Sequence, residues 1–338
     1  LENKYLYAED VDSERLVEEA IRGMVNSLDD PHTVFFTNEE VNNFLTSVGI
    51  ETQYGIGSQV GLDKEGRTMI IKPLRNSPAE KAGLKPGDVI MQVDGTDVSD
   101  GETPLEKVVG MIKGEDGTTV NIEYLRDGTT YQVMITRGPI RIESVAHQVR
   151  DGHLIFQIDF FGNETTAAVH DAIEANPAAA QKGIILDLRN NPGGFLDASV
   201  DLLAEFLPKD TVAVKTRGVD YLHSEDVEGP GTYTEYPLVV LVNELSASAS
   251  EIVAGAVQDQ ERGVVIGTQT FGKGTAQELL QFGNGTALKV TIAEWLTPDE
   301  RSIEGTGITP DYIFEDVDND EAIWEYAIRI IERGQWQP

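Results

Sequence analysis

Four continuous apolar runs constrain this chain more than any other feature: "HLIFQIDF" from His153, "KGIILDLR" from Lys182, "YPLVVLVN" from Tyr236 and "GVVIGT" from Gly263. They lack the apolar–polar alternation of a strand with one wet face, so both faces must be covered. The first three lead into helical stretches: "TTAAVHDAIEA", "DASVDLLAEFL" and the segment after Ser248. Strands alternating with helices imply an α/β layered core around a largely parallel sheet. The pattern occupies residues 141–338 and closes with the amphipathic "EAIWEYAIRIIERG".

Two other textures precede it. Residues 1–47 read as helical: "SERLVEEAIRGMVNSL" starts at Ser13 and repeats apolar positions at Leu16, Ala20, Ile21, Met24 and Val25. "LDDPHT" breaks this pattern, and "TNEEVNNFLTSV" restarts it with Thr37 and Glu40 spaced as a capping box. Residues 48–140 read as a compact β-rich module. "TMIIKPL" and "DVIMQVDG" are short strands, "NIEYLRDGTTYQVMI" is a hairpin turning at Asp127-Gly128, and "LEKVVGMIK" is a short amphipathic helix. A chain of 338 residues divided this way carries more than one domain.

The formal charge of −32 is spread along the chain and repels phosphate backbones and anionic lipid. This argues against nucleic acid and membrane surfaces as partners. There is no cysteine, so disulfides, thiolate metal sites and cysteine nucleophiles are excluded together. No run approaches the roughly 20 apolar residues of a membrane span.

"NELSASASEIVAGAVQDQ", Asn243–Gln260, places Ser246, Ser248 and Ser250 at alternate positions before a helix. Ser248-x-x-Glu251 is a capping-box pattern, which explains a serine there without any chemistry. A helix N-terminus also offers free N–H groups and the positive end of a dipole, which suit an oxyanion. A serine becomes a nucleophile only beside a base. The five histidines, His32, His147, His153, His170 and His223, fall in no glycine-bounded turn at a strand end, and none has H-E-x-x-H metal spacing.

Lysine is the other candidate base. "GVVIGTQTFGKGTAQ" sets Lys273 between Gly272 and Gly274, directly after a buried strand. Burial disfavours the ammonium and lowers a lysine pKa toward neutrality; a lysine in a tight surface turn fits the same pattern. Gln277, four residues on, is placed to orient the amine. "ILDLRNNPGG" ends a third core strand in glycines that let backbone N–H groups approach a ligand. In open α/β sheets ligands sit beyond the carboxyl ends of strands, so these three turns are expected to converge on one edge.

With these segments, the chain resembles the carboxy-terminal processing, or tail-specific, serine proteases. The resemblance runs from "SLDDPHT" through the PDZ-like "NSPAEKAGLKPGDVIMQVDG" to "LDLRNNPGG", "NELSASASEIVAGAVQDQ", "TFGKGTAQ" and "LTPDERSIEGTGITPD". It implies a crotonase/ClpP-like α/β protease core, residues 141–338, with an inserted β-rich PDZ domain, residues 48–140, and N-terminal helices, residues 1–47. It also implies that Ser248 is the nucleophile and that Lys273, 25 positions on (273 − 248), is the general base, assisted by Gln277. The oxyanion donors it implies are backbone N–H groups of Ala249 and of Gly193 or Gly194.

In the PDZ-like module, "YGIGSQVGL" matches the loop that holds a substrate's terminal carboxylate, which places Gly55, Ile56 and Gly57 as its binders. The implied function is a serine endopeptidase that recognises substrates by their C-terminal tails and cuts peptide bonds with a Ser–Lys dyad. Its partners are proteins or peptides with free C-terminal tails; no metal and no cofactor is called for. The resemblance also allows a homo-oligomer or an activating partner, and an extracytoplasmic location with the leader absent from this chain. Two rivals differ in class: a catalytically silent PDZ-bearing peptide-binding protein, and an acyl-CoA enzyme of the crotonase type. The latter has no use for a peptide-binding module or a Ser–Lys pair.

Overall fold

The computed structural model describes residues 12–47, 53–74, 76–140 and 144–337. Residues 1–11, 48–52, 141–143 and 338 of the three expected regions lie outside the described residues, as does Arg75. The chain divides into two compact units, one of Leu1–Phe44 with Ser144–Pro338 and one of Leu45–Glu143.

In the first unit the four apolar runs form neighbouring strands. His153–Ile158, Ile184–Asp187, Leu238–Val242 and Val264–Gly267 lie side by side and parallel. Val145–Arg150 adds antiparallel at one edge and Tyr312–Ile313 parallel at the other. Both faces are covered, as uniform apolarity requires. Phe156, Leu186 and Val240 meet Val169, Leu202 and Ile252 from helices Thr165–Ala175, Leu196–Phe206 and Ala249–Asp259. Their strand neighbours Ile155, Ile185 and Val239 share a second cluster with Trp324, Ile328 and Ile331 of helix Asp320–Glu332.

A second, antiparallel sheet in this unit was not legible in the sequence. It runs Val34–Phe36, Ala287–Leu296, Val212–Arg217, Leu222–Asp226, with Thr275–Gln281 also paired to Ala287–Leu296. The helical reading of the N-terminal region holds for Ser13–Asn26 and Asn38–Ser47, but a strand lies between them.

The second unit is a six-stranded sheet with its two-stranded companion Gln53–Gly55/Gly138–Ile140. Asp127 and Gly128 both have positive φ, 49° and 76°, which gives the turn a twist matching its hairpin strands. Ile70, Ile90, Val93 and Ile122 of the sheet bury Val108 of helix Leu105–Ile112. Among the described residues no helix is long and apolar enough to cross a membrane.

Candidate active site

Strand Leu238–Val242 leaves the sheet at Asn243, and helix Ala249–Asp259 begins six residues later. The outer serines hold the connection to the neighbouring turn. The Ser246 hydroxyl donates to Leu188 O at 2.8 Å, and the Ser250 hydroxyl to Asn191 O at 3.0 Å. Both side chains are buried, whereas Ser248 between them is half-exposed. Its backbone stands at φ 56°, ψ −117°, a conformation that strains any residue with a Cβ by about 1–3 kcal/mol and persists only when the surroundings impose it. A serine on a strained strand-to-helix elbow presents its hydroxyl outward.

The glycine turn lies against this elbow. Ala247 N–H donates to Asn191 O at 3.0 Å, and Asn190 and Asn243 exchange bonds at 2.9 Å in both directions. Asn191 is buried; its Nδ2 donates to Ile158 O at 2.8 Å, and its Oδ1 accepts from Gly193 N–H at 2.8 Å. The Gly193 amide is therefore occupied. The amides of Gly194 and Ala249 have no acceptor among the described residues.

The Lys273 turn follows strand Val264–Gly267, and all six of its main-chain polar groups, from Gly272 to Gly274, are held. Gly272 N–H donates to Glu251 Oε1 at 2.7 Å, and Lys273 N–H to Glu251 Oε2 at 2.9 Å. Gly274 N–H donates to Glu304 Oε2 at 2.7 Å. The carbonyls of Gly272, Lys273 and Gly274 accept from Gly305 N–H, Trp295 Nε1 and Trp295 N–H at 2.9, 2.9 and 2.8 Å. Such a turn leaves only the lysine side chain free to move.

Burial, followed by the like charge of Lys289, pushes the Lys273 amine below the usual lysine range; Glu304, Glu251 and Asp30 pull the other way. Lys289 lies 5.8 Å from the Phe36 ring and 5.4 Å from that of Phe44. Gln277 donates to Thr275 Oγ1 at 3.0 Å and Thr291 Oγ1 at 3.3 Å, so its amide nitrogen serves the strand pair rather than the lysine. The histidines have other roles: His153 is buried in the sheet, and His170 lies 3.2 Å from both Glu205 Oε2 and the Tyr233 hydroxyl.

In the second unit, Gly55 ends strand Gln53–Gly55 and Ser58 opens strand Ser58–Leu62, so Ile56 and Gly57 form the intervening loop. Their carbonyls accept from Ala79 and Leu74 N–H at 2.7 and 3.0 Å, while their own N–H groups have no acceptor among the described residues. Gly57 has φ 68°, and a Cβ there would stand 2.6 Å from Ser77 Cβ. Strand Ser58–Leu62 is an edge strand of the sheet.

The model of peptidase family S41 matches residues 153–314, the span that holds the glycine turn, the serine elbow and the lysine turn. Residues 153–314 carry a peptidase family S41 domain. A PDZ domain model matches residues 54–136, and the model described as the activating protease CtpB N-terminal domain matches residues 2–40. The chain is 36% identical over 310 residues to the carboxy-terminal processing protease CtpA of Bacillus subtilis, covering 90% of this chain and 65% of that protein. It is 38% identical over 299 residues to a probable CtpA-like serine protease of Staphylococcus haemolyticus, covering 88% and 60%. Among solved structures, the photosystem II D1 C-terminal processing protease matches with a TM-score of 0.57 and 29% identity, covering 95% of this chain and 87% of that one. The chain spans 60–65% of the length of the curated relatives it matches.

Sequence reasoning missed how far Glu251 reaches. The capping-box spacing signalled its bond to Ser248 N–H, present at 2.8 Å, but not its bonds to residues 270–273. It also missed Asn191, Trp295 and Lys289, none of which stands in a motif whose local spacing reveals its partner.

Proposed function

We propose that this chain is a serine endopeptidase in which Lys273 activates Ser248, with substrates selected by their C-terminal tails. Neutral Lys273 takes the proton of Ser248 Oγ as the oxygen attacks the peptide carbonyl carbon. The N–H groups of Gly194 and Ala249 receive the resulting oxyanion; each such donor is typically worth about 3 kcal/mol in the transition state. The lysine then returns the proton to the departing amine. Water attacks the acyl-enzyme carbonyl carbon and gives a proton to Lys273, which passes it to Ser248 Oγ as the C–Oγ bond breaks and the acid is released.

The observation that carries this reading is the backbone of Ser248, held at φ 56°, ψ −117° in the same turn cluster as the Gly194 and Ala249 amides, which have no acceptor among the described residues. A helix cap needs no such strain, and elsewhere in this chain Ser77 caps its helix from the ordinary extended region at φ −69°, ψ 161°. The N–H groups of Ile56 and Gly57, without an acceptor among the described residues and beside the edge strand Ser58–Leu62, support capture of a terminal carboxylate with the tail added as a further strand. Gln277 acts on Lys273 through the side-chain oxygen that its bonds to Thr275 and Thr291 leave unused.

The test is cleavage of an unfolded substrate ending in apolar residues, with its terminal carboxylate free or amidated. The free form is expected to be cut at least about tenfold faster, as loss of a charge-assisted hydrogen-bonded group implies. Equal rates would remove the tail-recognition half of the proposal.

A further inference from the structure

Glu251 is fully buried, and four donors converge on its two oxygens. Oε1 accepts from the Thr270 hydroxyl at 2.6 Å and Gly272 N–H at 2.7 Å. Oε2 accepts from Ser248 N–H at 2.8 Å and Lys273 N–H at 2.9 Å. Taking a carboxylate out of water costs several kcal/mol, and only multiple charge-assisted bonds offset that. A helix cap accounts for one of the four. The other three come from residues 19, 21 and 22 positions away, on the segment that carries the lysine.

We propose that Glu251 is a positioning residue for catalysis: one carboxylate oxygen, bonded at once to the Ser248 and Lys273 amides, fixes the separation of the nucleophile from its base. The proposal rests on the Ser248–Lys273 reading above. Thr270 stiffens the link from the far side, since its hydroxyl also accepts from Ile308 N–H at 2.6 Å. The anion works against the chemistry in one respect: its charge favours the protonated form of Lys273, opposing burial and Lys289. Its geometric contribution must exceed that electrostatic penalty, and this opposition makes the role testable.

The experiment measures kcat, KM and the pH–rate profile of E251Q and E251D on one peptide substrate, with K273A as control and near-UV circular dichroism to confirm folding. Gln keeps the shape but turns one of its two ends into a donor facing N–H groups, and it removes the charge. Asp keeps the charge but is one methylene too short to reach all four donors. A misplacement of about 1 Å costs roughly 100-fold, so kcat is expected to fall by about that factor in both variants with KM nearly unchanged. The acid limb is expected to move to lower pH in E251Q, where the anion is gone, and to stay in E251D.

A folded E251Q with wild-type kcat, or with a lowered kcat and an unmoved acid limb, overturns the positioning role. If E251Q does not fold, E251D decides alone: wild-type kcat overturns the proposal, and a lowered kcat with unchanged KM supports it. An active K273A would instead sink the dyad reading on which the proposal stands.

Discussion

Gly193 lies so close to Ser248 that a Cβ added to it would stand 2.8 Å from Ser248 Cβ. The same atom would stand 2.8 Å from Ala247 O and 3.1 Å from Ala249 N, so no rearrangement of one flexible side chain relieves it. Gly193 also has φ 108°. Gly193→Ala is therefore expected to displace the serine elbow, lowering kcat by about 10- to 100-fold for a strain of about 1–3 kcal/mol. Steady-state kinetics on the folded variant checks this; a wild-type kcat would show that the elbow does not depend on the close approach.

The second prediction concerns the acid limb of the pH–rate profile. In the proposed mechanism the reactive form of Lys273 is neutral, so the rate should rise with pH through its pKa, which burial and Lys289 hold below the usual lysine range. Removing the like charge in Lys289→Gln lets that pKa rise, and the limb moves to higher pH. A limb that stays in place or moves to lower pH would show that Lys289 does not act on the titrating group.

A third prediction concerns the strand that leads into the glycine turn. Asp187, buried at its end, accepts from Arg189 Nε at 2.7 Å and from Trp324 Nε1 at 2.9 Å. Arg189→Met leaves that carboxylate buried beside the Trp324 N–H without its cation. Breaking a buried pair by removing one partner costs about 3 kcal/mol or more, so the urea midpoint should fall accordingly. A midpoint within about 0.5 kcal/mol of the parent, the range of ordinary surface changes, would contradict this account.

Acid sensitivity gives the fourth. His153 is buried, and burial, aided by Lys182, pushes its pKa below the ordinary value. The unfolded chain then binds a proton at higher pH than the folded one. The stability contributed by the neutral imidazole is full above the unfolded pKa and declines as pH falls from there toward the folded pKa. His153→Leu should remove this component, so stability should drop less between pH 8 and pH 5 than in the parent, by about 1.4 kcal/mol for each unit of pKa difference. Identical pH dependence in the two proteins would contradict the prediction.

The parallel sheet was legible because its strands are covered on both faces and so cannot alternate: Ile155, Ile185 and Val239 face one cluster, Phe156, Leu186 and Val240 the other. The Asp127-Gly128 turn was legible because its positive φ angles select those residues. The antiparallel sheet was not, because Val34–Phe36 pairs with Ala287–Leu296 across more than 250 residues and is only three residues long. The choice between Gly193 and Gly194 was open in sequence for the same kind of reason. It depends on which amide the Asn191 side chain occupies, and no spacing records that. Glu251 fell between the two cases, since its local bond was visible and its bonds to residues 270–273 were not.

The central claim is that one lysine, uncharged and fixed by its main chain, activates one serine. The most direct measurement is the single-turnover cleavage rate of an unfolded, free-tailed substrate by the parent, Ser248→Ala and Lys273→Ala proteins at one pH. Both variants are expected to lose activity by several orders of magnitude, to nearly the same residual rate, because nucleophile and base act as a unit. A Lys273→Ala protein that cuts within about tenfold of the parent rate, where loss of a general base typically removes 10²–10⁴, would contradict the account.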